Sequence, residues 1–195
     1  MPAYHHSCLS LGPDTIRLLR LKPCKDQSTA KIHCELFDYN LQDPSQRTHL
    51  YDALSYVWGN PEVTLPIYIG EHEHELRVTT NLYAALLHLR NSTLERIIWI
   101  DAICIDQKNG EEKAQQIPLM AKIYSQASRV LVWLGEAADN SDQALEEIRA
   151  AGRKAVHSLN NETIQLAVLK LLERDWFQRI WVRESTLDNN VHRIY

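Results

Sequence analysis

The chain has 195 residues, and 45% of them are hydrophobic, which predicts one globular domain or one domain with an appendage. Its formal net charge of -4 gives no electrostatic reason to expect nucleic acid or an anionic membrane as a partner. No apolar run has the length of a transmembrane helix, and the N-terminal residues lack the apolar stretch of a signal peptide. A cytoplasmic protein is therefore expected.

The first part of the chain carries strand patterns. Apolar and polar residues alternate in TIRLLRL and KIHCELFD, and a continuous apolar run then ends at Gly59. Two further strand-like segments flank Gly70 and predict a hairpin. The predicted strands in this part are Thr15–Leu21, Lys31–Asp38, Ala53–Trp58, Leu65–Ile69 and Glu75–Val78.

Helical patterns alternate with strands in the rest of the chain. Glu111 and Glu112 suit the positive end of a helix dipole, and Pro118 is expected to delay or kink the helix that they open. Apolar runs predict buried strands over Arg96–Ile100 and Arg129–Leu134. Helices are predicted over Leu82–Leu89 (capped by Thr80 or Asn81), Ala114–Ala127, Ser141–Val156, Leu159–Leu172 and a short segment from Asp175.

Strands that alternate with helices predict an α/β fold of three layers, with a mostly parallel sheet flanked by helices. The first two strands and the hairpin add an antiparallel element at the N-terminal side. We expect residues 1–48 to form strands and a loop that pack on the domain, residues 49–184 to form the domain core, and residues 185–195 to form a C-terminal tail.

Two patterns favour structural roles over chemical ones. EHEHE, from Glu71 to Glu75, places two histidines on one side of a strand, but no third metal ligand accompanies them, so a solvated hairpin is favoured. The cysteines form no C-x-x-C pair, and Cys104 is interpreted as a small buried residue. Cys24 and Cys34 could meet across a hairpin, although a reduced cytosolic chain needs no such bridge.

A candidate site lies where two apolar strands run into polar, turn-forming residues. YDALSYVWG ends at Gly59 and WIDAICIDQ ends at Gln107, and side chains at the carboxyl ends of parallel strands line a crevice. Strand alternation places Tyr56 and Trp58 on one face, and Gly59 permits close approach of a ligand. Tyr56 and Trp58 are candidates for substrate binding or for the core.

The second segment offers polar candidates. Asp101 follows a wholly apolar strand, so it either accepts hydrogen bonds from backbone N–H groups of the next loop or binds ribose hydroxyls. Asp106 and Gln107 begin that loop and could do either job. The chain has neither G-x-G-x-x-G nor the P-loop pattern, so a nucleotide would be held in another way.

Three ordered blocks resemble the HET (heterokaryon incompatibility) domain of filamentous fungi. The blocks are YDALSYVWG, then WIDAICIDQ with EKAQQIPLMAKIYSQASRVLVWLGE, and finally WFQRIWVRE, which together cover most of Tyr51 to Glu184. The resemblance implies a fungal protein that triggers growth arrest or cell death after contact with non-self. Such a protein is usually larger, with this domain near its N-terminus.

The same blocks resemble, more distantly, TIR domains that cleave NAD, and they imply a TIR-like or flavodoxin-like sheet. WVRE is similar to the tryptophan-to-glutamate motif of those enzymes, which implies that Glu184 is catalytic and that NAD is a substrate rather than a cofactor. Trp181 lies one helical turn before Glu184, where it could desolvate the carboxylate or act as a core anchor. The competing interpretation of Glu184 is an ordinary surface carboxylate.

Several positions depart from the family pattern. Asp106 stands where the family usually has asparagine, Arg183 replaces the glutamine before the final glutamate, and Asp175 replaces a proline. Pro118 takes the place of an ordinary helix residue. The chain ends with STLDNNVHRIY where the family continues with apolar sequence. These differences favour, as an alternative, a truncated or inactive copy.

The leading prediction is a cell-death signalling domain of heterokaryon incompatibility that acts by NAD cleavage. The rival is a non-enzymatic interaction module that signals by self-assembly. Both are expected to engage copies of themselves or other incompatibility proteins, with no bound metal and no cofactor.

Overall fold

The computed structural model describes residues 2–9, 12, 14–25, 31–42, 50–153, 162–178 and 191–194. The chain divides into two compact units. The first contains Met1–Trp133 with Asn190–Tyr195, and the second contains Leu134–Asn189. Among the described residues, no helix is long and apolar enough to cross a membrane.

The first unit contains one eight-stranded sheet in the order β5-β4-β2-β1-β6-β3-β7-β8. Its strands are β1 (Thr15–Leu21), β2 (His33–Asn40), β3 (Asp52–Tyr56), β4 (Thr64–Ile69), β5 (His74–Thr79), β6 (Arg96–Trp99), β7 (Arg129–Trp133) and β8 (Val191–Ile194). The strands predicted for this unit are therefore present, with boundaries that differ by a few residues.

The sheet is mixed, and this corrects the expectation of a mostly parallel one. Pairs β2/β4, β3/β6, β3/β7 and β7/β8 are parallel, whereas β1/β2, β1/β6 and β4/β5 are antiparallel. The predicted α/β class and the antiparallel N-terminal strands are confirmed. The difference arises because β1 inserts between β2 and β6, so antiparallel pairing continues into the middle of the sheet.

The helices of the first unit are α1 (Thr80–Leu89), α2 (Asp101–Cys104), α3 (Gly110–Gln116) and α4 (Met120–Gln126). The predicted apolar stripe of α1 is confirmed, since Leu82, Ala85, Leu86 and Leu89 are buried. The predicted break at Pro118 is also confirmed: a 3-10 helix over Ile117–Leu119 separates α3 from α4.

The second unit contains α5 (Ser141–Arg153), α6 (Glu162–Leu172) and a 3-10 helix over Asp175–Gln178. Arg174 donates from Nη1 to the Leu134 carbonyl oxygen at 2.9 Å and from Nη2 to the Ala138 carbonyl oxygen at 3.3 Å. Trp176 is buried, and its ring meets the ring of Phe177 edge-on at 5.0 Å between centroids. These contacts tie the end of this unit to its beginning.

Strand β1 departs from the alternation that predicted it. An alternating strand has one solvated face, but Thr15 through Leu19 are all buried, including Arg17 at 1% exposure. Both faces of β1 are covered, so the polar positions of the pattern are buried as well. Within the described residues, Cys34 is likewise buried and is not joined to Cys24 by a disulfide.

The two Nη atoms of the buried Arg17 guanidinium pair with Glu112 near the start of α3, while its Nε has no hydrogen-bond partner among the described residues. Nη1 and Nη2 of Arg17 lie 2.5 Å and 2.9 Å from the two Glu112 carboxylate oxygens. Nη1 also donates to the Cys104 carbonyl oxygen at 3.1 Å, and Nη2 donates to the Ser7 carbonyl oxygen at 2.5 Å. Glu112 Oε1 accepts the Asp106 N–H at 2.7 Å. One ion pair thus joins β1, α3, the end of α2 and the N-terminal residues.

Burial and pairing act on Glu112 in opposite directions. Burial disfavours the charged carboxylate, but the hydrogen bonds from Arg17 and from the Asp106 N–H outweigh it and hold the pKa of Glu112 below its ordinary value. The carboxylate is therefore charged at neutral pH, as the bidentate geometry requires.

Breaking this pair from one side is expected to be costly. Arg17→Met leaves the Glu112 carboxylate, whose side chain is 8% exposed, without its counter-ion, and should lower the free energy of unfolding by about 3–5 kcal/mol. In urea unfolding, the double variant Arg17→Met/Glu112→Leu should lose less than the sum of the two single variants, because no charge is left unpaired. Strictly additive losses would contradict the account.

Candidate functional site

The ends of β3 and β6 open onto one pocket in the first unit. The two strands are parallel, so their carboxyl ends lie at the same edge of the sheet. The pocket has a volume of about 300 Å³, and its lining includes Tyr56 and Trp58 from the first motif and Asp106 and Gln107 from the second. The structure thus brings together four of the residues singled out in the sequence.

Trp58 and Asp101 connect the two motifs directly. The Trp58 indole Nε1 donates to Asp101 Oδ2 at 3.0 Å, and Asp101 Oδ1 accepts the Ala102 N–H at 2.7 Å. The Gln107 side chain donates to the Asp101 carbonyl oxygen at 2.8 Å. Asp101 therefore satisfies a backbone N–H of the next segment, as its structural interpretation predicts, and it also orients the tryptophan. Trp58 remains 41% exposed, so one part of its ring is available to a ligand.

Gly59 and Asn81 fix the turn that carries Trp58. Gly59 has φ +78°, and a Cβ placed there would lie 3.3 Å from the Asn81 Cβ, so both conformation and space favour glycine. Asn81 donates to the Val57 carbonyl oxygen at 2.6 Å and accepts from Trp133 Nε1 at 2.9 Å. The prediction that Thr80 or Asn81 caps α1 is wrong by one position, because Thr79 takes the N-cap and accepts the Leu82 N–H. Asn81 is instead a positioning residue that the sequence did not reveal.

The N-terminal residues form a wall of the pocket that the sequence analysis missed. We call residues 2–7 the N-terminal strap; its Tyr4, His5 and His6 all line the pocket. Ala3 pairs with Glu75 of β5 as an isolated parallel bridge, with hydrogen bonds of 2.8 Å from the Tyr4 N–H to the Glu75 carbonyl oxygen and 2.9 Å from the Glu75 N–H to the Pro2 carbonyl oxygen. The strap therefore extends the sheet beyond β5, which ends the strand order.

His6 has a defined orientation in this wall. Its Nε2 lies 2.8 Å from the Ile103 carbonyl oxygen, and because a carbonyl only accepts, Nε2 carries the proton. Nδ1 then faces the Asp106 carboxylate at 3.9 Å. The Tyr4 ring meets the His6 ring edge-on at 5.1 Å between centroids. Burial raises the pKa of Tyr4, an effect that nearby Arg17 partly opposes, so the phenol is neutral at physiological pH.

Strand β5 and the loop after α2 supply charge to the pocket. Arg77 lines it and is held by Thr64, with 2.8 Å from Nε to the Thr64 hydroxyl, and by a 2.9 Å contact with Glu75. Lys108 lines it as well. Arg77 and Lys108 are cations, and Asp106 is a carboxylate.

The described residues of this unit show no arrangement suited to a metal ion, and the Cys104 thiol is not activated. Among the described residues, no group of histidine, cysteine and carboxylate side chains is arranged to hold a metal ion. His72 and His74 of the EHEHE segment lie with their rings 6.0 Å apart at the hairpin. Burial raises the pKa of the Cys104 thiol to about 12, so it is not a nucleophile at neutral pH.

The described part of the chain includes only the first three residues of the third motif, Trp176 to Gln178. Trp181, Arg183 and Glu184 fall outside the described residues, so their predicted roles stay predictions. The sequence signals that could have pointed to the missed pocket residues are weak. These signals are a tandem His5-His6 after an aromatic residue and an arginine inside a strand. Each becomes informative only through contacts that are distant along the chain.

Removing the Asp101 carboxylate tests the link between the two motifs. Asp101→Ala deprives the Trp58 indole N–H of its acceptor, so its proton resonance should move upfield and the free energy of unfolding should fall by about 1 kcal/mol. The indole signal is assigned with Trp58→Phe and followed by ¹H–¹⁵N correlation spectra. Glu71→Ala, which removes an exposed carboxylate at the hairpin turn, should leave that signal in place. An unmoved indole signal in Asp101→Ala would refute the contact.

Comparisons with known proteins give the family. The model of the family described as heterokaryon incompatibility protein (HET) matches residues 51–184. The chain is 34% identical over 172 residues to heterokaryon incompatibility protein 6, OR allele, of Neurospora crassa, an alignment that covers 83% of this chain and 25% of that protein. It therefore spans about a quarter of the length of this curated relative. No solved structure matches the chain. The chain belongs to the heterokaryon incompatibility (HET) family.

Proposed function

We propose that this chain is a cell-death signalling domain of fungal heterokaryon incompatibility and that it acts by cleaving NAD. The observation that carries the proposal is the pocket at the carboxyl ends of β3 and β6, which is lined by residues from two of the HET motif blocks. Ligands of open α/β sheets bind at this edge. Residues 49–184 form the active core in this proposal and residues 1–48 support it, while the segment expected as a tail, residues 185–195, contributes strand β8 to the sheet.

The order of the parallel strands supports a TIR-like interpretation. Among the mutually parallel strands β3, β6, β7 and β8, the spatial order is β6-β3-β7-β8. Numbered along the chain, this is 2-1-3-4, the beginning of the flavodoxin-type order. The antiparallel β1, β2, β4 and β5 are then additions at one side. Fold likeness does not establish chemistry, so the mechanism rests on the site and its test.

The proposed reaction is hydrolysis of the bond between nicotinamide and ribose. The C1′–N bond breaks, its electron pair leaves with nicotinamide as a neutral pyridine, and positive charge develops on the ribose. Water then adds to C1′ and releases one proton, which gives ADP-ribose. A carboxylate beside the ribose stabilises the oxocarbenium-like charge, as in glycoside hydrolysis.

In this proposal Glu184 supplies the catalytic carboxylate. We assign Trp181 to the same substrate role as Glu184 because it precedes Glu184 by three residues in the WVRE motif. Trp58 offers a ring on which a base can stack, and Asp101 holds it in orientation through the 3.0 Å indole contact, whereas Tyr56 lines the pocket as a buried residue. Asp106 and Gln107 are polar groups of the pocket lining that suit ribose hydroxyls.

A non-enzymatic, self-assembling module is the second candidate. The observation that favours it is an apolar row on α6, where Leu166, Leu169 and Leu172 are 56%, 58% and 48% exposed. Such a row is typical of a surface that another protein covers. In that case the partner is a second copy of the chain or another incompatibility protein, and the pocket has no turnover.

NAD consumption by the purified chain at high concentration tests the proposal. The wild type should release nicotinamide and ADP-ribose, and Glu184→Gln should lower the rate about 100-fold or more, because the charge that stabilises the transition state is gone. Glu173→Gln, at an exposed glutamate of the same unit, serves as the matched control and should keep the wild-type rate.

Two outcomes would contradict the proposal, the first in its reaction and the second in its catalytic residue. If the folded wild type leaves NAD intact while light scattering records a concentration-dependent oligomer, the self-assembling module is favoured. If NAD is cleaved equally by Glu184→Gln, the reaction stands but Glu184 has no catalytic role.

A further inference from the structure

The pocket is built from two parts of the chain that the family match separates. The HET model matches residues 51–184, whereas Tyr4, His5 and His6 of the N-terminal strap lie well before this segment and form one wall. The lining from the family segment includes Tyr56, Trp58 and Asp106. The family segment alone therefore lacks three residues of the pocket lining.

The strap is held against the domain at both of its ends. At residues 2–4 it pairs with Glu75 through the two backbone hydrogen bonds of the β5 bridge. At Ser7 its carbonyl oxygen accepts from the buried Arg17 guanidinium at 2.5 Å. His6 adds the 2.8 Å contact to the Ile103 carbonyl oxygen between these two points. The ion pair of Arg17 and Glu112, which holds the loop after α2, thus also helps to fix the position of the strap side chains.

The lining specifies a class of ligand. Tyr4 and the 41%-exposed Trp58 offer aromatic surface, which favours a planar ring by stacking, whereas Tyr56 also lines the pocket but is buried in the core. The cations Arg77 and Lys108 outnumber the single lining carboxylate Asp106, and although Glu75 pairs with Arg77 from outside the lining, an anionic group is favoured. A volume of about 300 Å³ lies at the lower limit of roughly 300–1,000 Å³ for small-molecule pockets. The space suits one ring with one anionic group better than an extended dinucleotide.

We propose that Tyr4 and His5 of the N-terminal strap are specificity-determining residues of this pocket and that the ligand group they select is a mononucleotide. Tyr4 provides ring surface and His5, which is exposed, provides an imidazole N–H donor for the phosphate. The inference rests on the proposed function, because the mononucleotide is one half of the NAD substrate. The inference adds that residues outside the family segment determine the specificity for the mononucleotide half of NAD.

Binding of adenosine monophosphate, nicotinamide mononucleotide and neutral adenosine to the full chain tests the inference. Titrations are followed by the indole N–H signal of Trp58. At least one mononucleotide should bind more tightly than adenosine. Tyr4→Ala should weaken that mononucleotide about tenfold through the loss of stacking. His5→Ala should reduce the preference for the phosphate-bearing probe over adenosine. His72→Ala, at an exposed histidine outside the pocket lining, should change neither affinity nor preference.

Several results would overturn the inference. If neither mononucleotide binds to the wild type, the proposed ligand class is wrong. If both strap variants keep the wild-type affinities, the strap does not determine specificity. His5 is exposed, so His5→Ala keeps the test valid even if Tyr4→Ala perturbs folding. If NAD is not cleaved but mononucleotides bind through the strap, the proposed reaction fails while this inference stands.

Discussion

The buried ion pair between Arg17 and Glu112 is the interaction on which the pocket depends. A buried charge pair is stabilising only when each remaining donor and acceptor is satisfied. Here the two Arg17 Nη atoms also donate to the carbonyl oxygens of Cys104 and Ser7, and Glu112 accepts the Asp106 N–H, so every donor of the pair except the buried Arg17 Nε has a partner within the described part of the chain. The pair therefore fixes the loop after α2 and the end of the N-terminal strap at the same time. Both flank the candidate ligand pocket.

The pocket follows from this arrangement together with the parallel pairing of β3 and β6. Parallel pairing brings the ends of the two HET motifs to one edge of the sheet. The Asp101 carboxylate then joins them through the Trp58 indole, and Asn81 holds the turn from the side of α1. Because these contacts use backbone carbonyl and N–H groups as well as side chains, they set the position of the loops and not only of single residues.

Local patterns predicted the elements well but not the contacts between them. The α1 stripe, the hairpin around Gly70 and the break at Pro118 are encoded by spacing within a few residues, so the sequence was sufficient. The alternation in TIRLLRL predicted the strand but says nothing of the second covering layer that buries Arg17. Its partner Glu112 lies 95 residues away, and no short-range pattern could pair them.

The strap escaped prediction for the same reason. Its one backbone bridge joins Ala3 to Glu75, and three residues near a terminus carry no period that marks a strand. The mixed sheet was missed because strand patterns do not give direction, and β1 could have lain at an edge. The motifs themselves predicted which residues gather at the pocket, since Tyr56, Trp58, Asp106 and Gln107 all follow strand ends. The roles of Trp181 and Glu184 rest on family resemblance alone.

Native-state amide hydrogen exchange in the wild type and in Arg17→Lys tests the central claim most directly. Lysine keeps the charge but cannot bridge both Glu112 oxygens and two carbonyl groups. We predict faster exchange of the Tyr4 and Asp106 amides, whose hydrogen bonds hold the strap and the loop, with unchanged protection of the Leu86 amide inside α1. Equal protection of Tyr4 and Asp106 in the two proteins would contradict the claim that this ion pair builds the pocket.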